Sequence, residues 1–260
     1  MEYTRFLWCI GRLLGTQLPQ HMFPVTRDMV VQALRYRPPT LTAFRHEMAL
    51  CAMTMGCMRP SQGEWLQSCD VPRWASMLPP TVGWSPPAAA QPSTAASGST
   101  EYQTRKGHYW HHMRFGCAAD PELDLVYQLG LYFDMAGIRP RPGCAKAARP
   151  HARCPVCPPA FPKFQRGPGG TTVLHPWPKP SASLVSEMAV RALSDIGRDT
   201  RAGFSGVCCG MGGRTVAIEA GVPEHILWMQ SGHGQDKLAR RFGRLADPNL
   251  LYDTWRAFRL

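Results

Sequence analysis

The sequence predicts a mainly α-helical protein with a small antiparallel sheet, an α+β fold in which helices predominate. Four segments carry apolar residues at the three- and four-residue spacing of helices, and two of them begin at a threonine or serine that can cap a helix. Strand-like sequence is confined to one short segment rich in aromatic and basic residues. The 260 residues, of which 44% are hydrophobic and 18% charged, suffice for one large domain or two small ones with a buried core.

The four helical segments are predicted from their apolar faces. The first begins after Thr26 and places Met29, Val30, Ala33 and Leu34 on one side. The others are 42–58, 124–136 and 181–197, of which 42–58 is apolar over most of its surface and is expected to be buried.

The remaining elements are shorter. A turn at Lys106-Gly107 predicts a hairpin over 102–115. Nearer the C-terminus, a turn at 204–206 precedes a compact helix at 211–220, whose glycines and alanines let neighbouring elements approach closely. Pro223 then stands at the first turn of the next helix.

Proline and glycine interrupt this helical pattern in two places. Residues 79–100 contain no charge and predict a flexible low-complexity loop. Residues 138–180 concentrate proline and cysteine and predict an irregular insertion, because so much proline disfavours both helix and sheet. Residues 1–21 form a separate N-terminal segment, so the main domain is expected to span 22–258.

The charge of the chain favours an anionic partner. The net charge is +11 and the isoelectric point is near 9.4, as is common for proteins that bind nucleic acid or an anionic membrane surface. No apolar run reaches the roughly 18 residues of a membrane span, and the N-terminal residues lack the pattern of a secretory signal. We therefore expect no membrane partner and an intracellular location, nuclear in a eukaryote, with mostly reduced cysteines.

One group of residues in the insertion has the spacing of metal ligands. Cys154 and Cys157 form a C-x-x-C pair, and Cys144 with His151 could complete a tetrahedral zinc site. Such an ion would staple a segment that has no core of its own. Free or redox-active thiols are the alternative for these cysteines.

Two sequence boxes occur in an order known from a large family. The first is 56–70, in which Arg59 and Gln62 stand at an arginine and an acid position. The second begins with FSGVCCGMGG at 204–213 and continues with EAGVPEHI and Gly232-His233. Together they resemble the catalytic core of the tyrosine recombinase (phage integrase) family, most closely the retrotransposon-type recombinases of DIRS-like or Crypton-like mobile elements. The resemblance runs from about residue 22 to 258.

The resemblance implies a DNA strand-breaking and rejoining site. In this family a tyrosine hydroxyl attacks a DNA phosphodiester and leaves a 3′-phosphotyrosine bond, while two arginines stabilise the charge on the phosphate and a histidine and a lysine move protons. The retained positions are Arg59, Lys106 and His233. The changed positions are Val207 for a histidine, Gly210 for the second arginine and Phe242 for the tyrosine.

The resemblance therefore implies a protein of DNA recombination and integration that binds double-stranded DNA but does not cleave it. Enzymatic activity stays an open question, because two nearby residues could replace the missing catalytic groups. Arg214 lies one helical turn beyond Gly210, and Tyr252 follows Phe242. No cofactor is required, and homo-oligomers on DNA are implied. The residues expected to contact DNA phosphates are Lys237, Arg240, Arg241 and Arg244.

Each of these residues also has a structural interpretation. Arg59 can extend from a helix end, His233 can cap a helix, and Lys106 can be a solvated turn residue. Two other classes of function therefore stay open: a non-enzymatic interaction module stapled by zinc, and a mobile-element gene remnant without a partner.

Overall fold

The computed structural model describes residues 23–36, 38–64, 66–69, 97–104, 107–114, 120, 122–138, 144, 156–166, 172–175, 180–224, 226–227 and 256–258. The helices in these residues are α1 (Arg27–Arg35), α2 (Leu41–Met55), α3 (Pro60–Gly63), α4 (Leu125–Met135), α5 (Ala182–Asp195) and α6 (Gly206–Glu219). The strands are β1 (Ser97–Thr104), β2 (Gly107–Arg114), β3 (Lys163–Arg166) and β4 (Thr172–His175). The predicted mainly α-helical class is confirmed.

The helices begin where the sequence predicts caps. The Thr26 hydroxyl accepts from the Met29 N–H at 3.3 Å, and the Ser181 hydroxyl accepts from the Leu184 N–H at 3.2 Å. Each bond satisfies one of the backbone donors that the first turn of a helix leaves unpaired. The helices predicted over 124–136 and 181–197 agree with α4 and α5, whereas α2 ends at Met55, three residues before the predicted end.

Helix α2 is the centre of the core. It contacts α1, α4, α5 and α6, and every residue from Phe44 to Met55 is buried. A helix that is enclosed on all sides needs apolar residues around its whole circumference, which explains the near absence of an apolar stripe in its sequence. The expectation that this segment is buried is confirmed.

A polar pair is also buried within α2. The Arg45 guanidinium donates to the Pro162 carbonyl at 2.6 Å and lies 4.8 Å from the centre of the Phe164 ring. Its Nη2 lies 3.1 Å from Nε2 of His46. Burial, with the nearby charge of Arg45 as the second cause, lowers the pKa of His46 to about 4. The imidazole is therefore neutral in the folded protein at neutral pH.

Helix α6 packs through glycines against the end of α2. A Cβ added at Gly210 would lie 2.7 Å from the Met58 carbonyl oxygen, and one added at Gly213 would overlap the Thr54 carbonyl oxygen. The predicted close approach is confirmed. The helix begins at Gly206, however, so the predicted start at residue 211 is wrong, and of the predicted turn at 204–206 only Phe204 and Ser205 precede the helix. Glycine disfavours an isolated helix, but here its missing side chain is what permits the tertiary contact.

Two antiparallel hairpins accompany the helices. The predicted hairpin is confirmed as β1 paired with β2, from Ser97 opposite Arg114 to Thr104 opposite Gly107. It begins inside the predicted loop, so residues 97–100 are strand and not irregular; residues 79–96 lie outside the described residues.

The second hairpin, β3 with β4, corrects the prediction that 138–180 is irregular throughout. Both strands, KFQR and TVLH, lack proline. The prediction missed them because it was based on the proline content of the whole segment. The insertion also reaches the core, because Phe161 is fully buried and stacks on Tyr132 with ring centroids 6.4 Å apart.

Within the described residues, no helix combines the length and the apolar character that crossing a membrane requires.

Candidate functional site

A cleft of approximately 660 Å³ opens between the residues that follow α2 and the N-terminal halves of α5 and α6. Three parts of the chain line it: Arg59, Pro60 and Ser61 at the start of α3; Ala182, Ser183 and Ser186 on α5; and Val207, Gly210, Met211 and Arg214 on α6, with Cys57 beside them. Two of these residues are arginines, and the lining contains neither aspartate nor glutamate. The cleft is therefore suited to an anionic ligand.

The position of Arg59 is set by the way α2 ends. The Met58 N–H bonds to the Met53 carbonyl at 2.8 Å and the Cys57 N–H bonds to the Thr54 carbonyl at 3.0 Å. This pair of bonds is a Schellman motif, which turns the chain sharply away from the helix axis. Cys57 occupies its left-handed position with a φ of 52°. Arg59 then follows at the rim of the cleft.

A buried glutamine fixes the backbone of Arg59 from the other side. Gln62 is fully buried, and its Oε1 accepts from the Arg59 N–H at 2.6 Å. This bond reaches from the third residue of α3 back to its N-cap, as a capping box does. Gln62 stands where the resemblance expects an acid, and its amide oxygen can make this bond without adding a negative charge beside Arg59.

Arg214 enters the cleft from α6. It is half-buried, and it lies one turn after Gly210 on the same face of the helix. Its charge also reaches Cys57: burial raises the pKa of the Cys57 thiol to about 12, and the positive charge of Arg214 opposes this increase. The two arginines of the lining therefore come from different elements and face one shared space.

Helix termini add positive potential to the cleft. The first turns of α5 and α6 both contribute to the lining, through Ala182 and Ser183 on one helix and Val207 on the other. The N-terminal end of a helix carries a partial positive charge. The Ser186 hydroxyl accepts from the Gly206 N–H at 2.8 Å, which holds the two ends together.

The structure brings together several of the residues that the sequence boxes indicated. Arg59, Val207, Gly210 and Arg214 all line this cleft. Position 210 offers no room for a side chain, since a Cβ would lie 2.7 Å from the backbone oxygen of Met58. The other indicated residues lie outside the described residues: Lys106, His233, Lys237, Arg240, Arg241, Phe242, Arg244 and Tyr252.

Comparisons of the chain with protein-family models, with curated proteins and with solved structures found no match. The sequence boxes are thus the basis for any relationship to a family. The function of the cleft has to be inferred from its own geometry and charge.

A second group of residues consists of three cysteines, none of which lines the cleft. The Sγ atoms of Cys69, Cys144 and Cys157 all lie within 4.8 Å of one another, and this cluster could hold a metal ion. Cys144 and Cys157 were predicted as metal ligands. His151 and Cys154, which completed the predicted set, lie outside the described residues.

Sequence reasoning missed Cys69 for a physical reason. Ligand prediction used short spacings such as C-x-x-C, and Cys69 has no partner cysteine close to it in sequence. It joins the cluster because residues 66–68 pair with 158–160 in a short antiparallel ladder. No local sequence pattern predicts that pairing, although an unassigned cysteine near the end of the first box was a usable signal.

Proposed function

We propose that the cleft binds the phosphate backbone of double-stranded DNA, and that the protein is a tyrosine-recombinase-like DNA-binding protein that does not cut DNA. The observation that carries the proposal is that Arg59 and Arg214 line one cleft whose lining has no acidic side chain. Support also comes from Val207 and Gly210, two further positions of the family's site, which line the same cleft.

The chemistry of arginine suits this role. A guanidinium stays charged at every physiological pH and can donate two parallel hydrogen bonds to phosphate oxygens. The net charge of +11 adds a sequence-independent attraction to DNA through release of counterions. In this proposal Arg214 takes the part that an arginine at position 210 has in the family, because position 210 is closed by the Met58 carbonyl.

The phosphate contacts can be tested with single substitutions. We expect Arg59→Ala and Arg214→Ala each to weaken binding of duplex DNA roughly tenfold, which corresponds to about 1.4 kcal/mol, and to lower the salt dependence of the affinity by about one counterion. Fluorescence anisotropy with labelled duplex DNA at several salt concentrations measures both quantities.

The matched control for these variants is Arg35→Ala. Arg35 is an exposed arginine at the end of α1 and lines a different surface depression, so its loss removes the same charge from outside the cleft. We expect this variant to bind DNA almost as tightly as the native chain. If the native chain and the Arg59, Arg214 and Arg35 variants all bound DNA with equal affinity, the proposal would be contradicted. Equal affinity together with bound zinc would favour the zinc-stapled interaction module instead.

The absence of cleavage follows from the residue at position 242. Phenylalanine has no hydroxyl group, so it cannot form the 3′-phosphotyrosine bond. We expect no covalent protein–DNA adduct when the native chain is incubated with a nicked suicide substrate and examined by denaturing electrophoresis. An adduct that disappears in Tyr252→Phe would instead identify Tyr252 as a nucleophile.

The proposed function needs no metal in the cleft. The cofactor that we assign to the protein is zinc in a purely structural role, because the cluster cysteines do not line the cleft. This ion would stabilise the insertion and would not touch the phosphate.

A further inference from the structure

The spacing of three sulfur atoms is the starting observation. The Sγ atoms of Cys69, Cys144 and Cys157 lie within 4.8 Å of one another. Four ligands at the Zn–S distance of about 2.3 Å form a tetrahedron with edges of about 3.8 Å, which these sulfurs reach by small side-chain rotations. A disulfide would join only two of the three, and at about 2.05 Å. One metal ion bound by all three thiolates explains why the three sulfur atoms lie so close together.

The backbone around the cluster is already held in place. Gln67 pairs with Pro159 in an antiparallel bridge, the Ser68 N–H donates to the Pro158 carbonyl at 3.0 Å, and the Ala160 N–H donates to the Leu66 carbonyl at 2.7 Å. The buried side chain of Gln67 adds a bond from its Nε2 to the Cys157 carbonyl at 2.9 Å. Cys69 and Cys157 are therefore positioned by the fold before any ion binds.

The burial of the three residues also fits a structural site. Cys157 is fully buried, whereas Cys69 and Cys144 are half-buried. An ion bound here would be largely shielded from solvent, yet it could enter from the side of the two more accessible thiols. Thiolate sulfur is a soft ligand, so the set favours zinc over magnesium or calcium, which prefer oxygen.

We infer that Cys69, Cys144 and Cys157 bind one zinc ion through three thiolates, and that the ion locks residues 66–69 to residues 157–160. Each thiol loses its proton to solvent as its Zn–S bond forms, and no electron is transferred. Cys69 is the ligand that distinguishes this site from a knuckle contained within the insertion, because it ties the insertion to the segment that follows α3.

Metal analysis of the purified full-length chain tests the inference. We expect about one zinc ion per native chain, and a loss of most of this zinc in Cys69→Ser and in Cys144→Ser, whose half-buried sites tolerate a hydroxyl. The matched control is Cys51→Ala. Cys51 is buried in α2, where burial raises the pKa of its thiol well above the usual value, so it is not a thiolate and its variant should keep the ion.

A second measurement uses the native chain alone and does not depend on how any variant folds. After removal of zinc by a chelator, added Co²⁺ should produce the charge-transfer absorption of thiolate–cobalt bonds, and Zn²⁺ should abolish it. Chelation should also lower the midpoint of thermal unfolding of the native chain. A native chain that binds neither zinc nor cobalt, or one in which two of these cysteines form a disulfide by mass spectrometry, would overturn the inference.

The zinc site stands apart from the DNA-binding proposal. None of the three cysteines lines the cleft. The zinc site is tested by measuring metal content, and the cleft is tested by measuring DNA affinity. Zinc bound at unit stoichiometry by a chain without affinity for DNA would remove the proposed function and leave the metal site intact.

Discussion

Replacing Gly213 by alanine is expected to destabilise the protein by at least about 3 kcal/mol, the upper end of what overpacking a core typically costs. The Cβ of an alanine at this position would overlap the Thr54 carbonyl oxygen in the last turn of α2. A backbone atom cannot rotate away as the end of a side chain can. Helix propensity alone predicts the opposite result, because alanine is favoured over glycine by about 1 kcal/mol inside a helix. Urea denaturation followed by circular dichroism measures the difference.

The control for this substitution is Gly63→Ala in α3. The nearest atom to a Cβ at that position is Cγ1 of Val185, at 2.9 Å, which is farther away than the Thr54 oxygen is from a Cβ at Gly213 and belongs to a side chain, not to the backbone. We expect a destabilisation well below that of Gly213→Ala. If the two variants were equally stable, α6 would not approach α2 as closely as the glycine contacts indicate.

Acidification is expected to remove up to about 3 kcal/mol of stability through His46. The pKa of this residue is about 4 in the folded protein, against 6.5 in an exposed histidine, so the unfolded chain binds the proton more readily. Stability from this residue is therefore complete above pH 6.5, and it decreases as the pH falls from 6.5 through about 4. Other groups also titrate in this range, so a variant is needed to isolate the contribution of His46.

Burial of His46 is the main cause of its lowered pKa, and the contact with Arg45 is the second. Nη2 of Arg45 can only donate, so the Nε2 of His46, 3.1 Å away, must accept. A protonated imidazole has no acceptor and would place a second positive charge beside Arg45. The charges of Arg191 and Glu187 act on His46 as well, the first lowering its pKa and the second raising it.

The matched variant for this prediction is His46→Gln, which keeps a polar side chain but does not titrate. The free energy of unfolding, measured in urea at several values between pH 4 and pH 7, should depend less steeply on pH in this variant than in the native chain. Parallel pH profiles for the two proteins would refute the assignment of the buried neutral state to His46.

Those elements that depend on local sequence were the predictable part of the fold. Thr26 and Ser181 cap helices where their sequence context indicates, and the apolar face of α1 is buried as its spacing predicts. Arg59 and Arg214 line one cleft, whereas Lys106, His233 and Phe242 lie outside the described residues, so the predicted site as a whole stays a prediction.

The errors arose where tertiary contacts override local preference. Gly206 was predicted to be a turn residue, but it is the first residue of α6, where its N–H donates to the Ser186 hydroxyl of α5. Helix α2 was predicted to continue to residue 58, but it ends at Met55, and Cys57 takes the left-handed position that turns the chain. Cys69 could not be assigned to a metal site because its partners are distant in sequence.

The close contact between α6 and the end of α2 limits which side chains position 210 can hold. A basic side chain at position 210 would have to displace the carbonyl of Met58, which is bonded directly to Arg59. A basic side chain at position 210 would thus disturb the backbone that carries Arg59. A second arginine of this cleft therefore has to extend from another turn of α6, as Arg214 does.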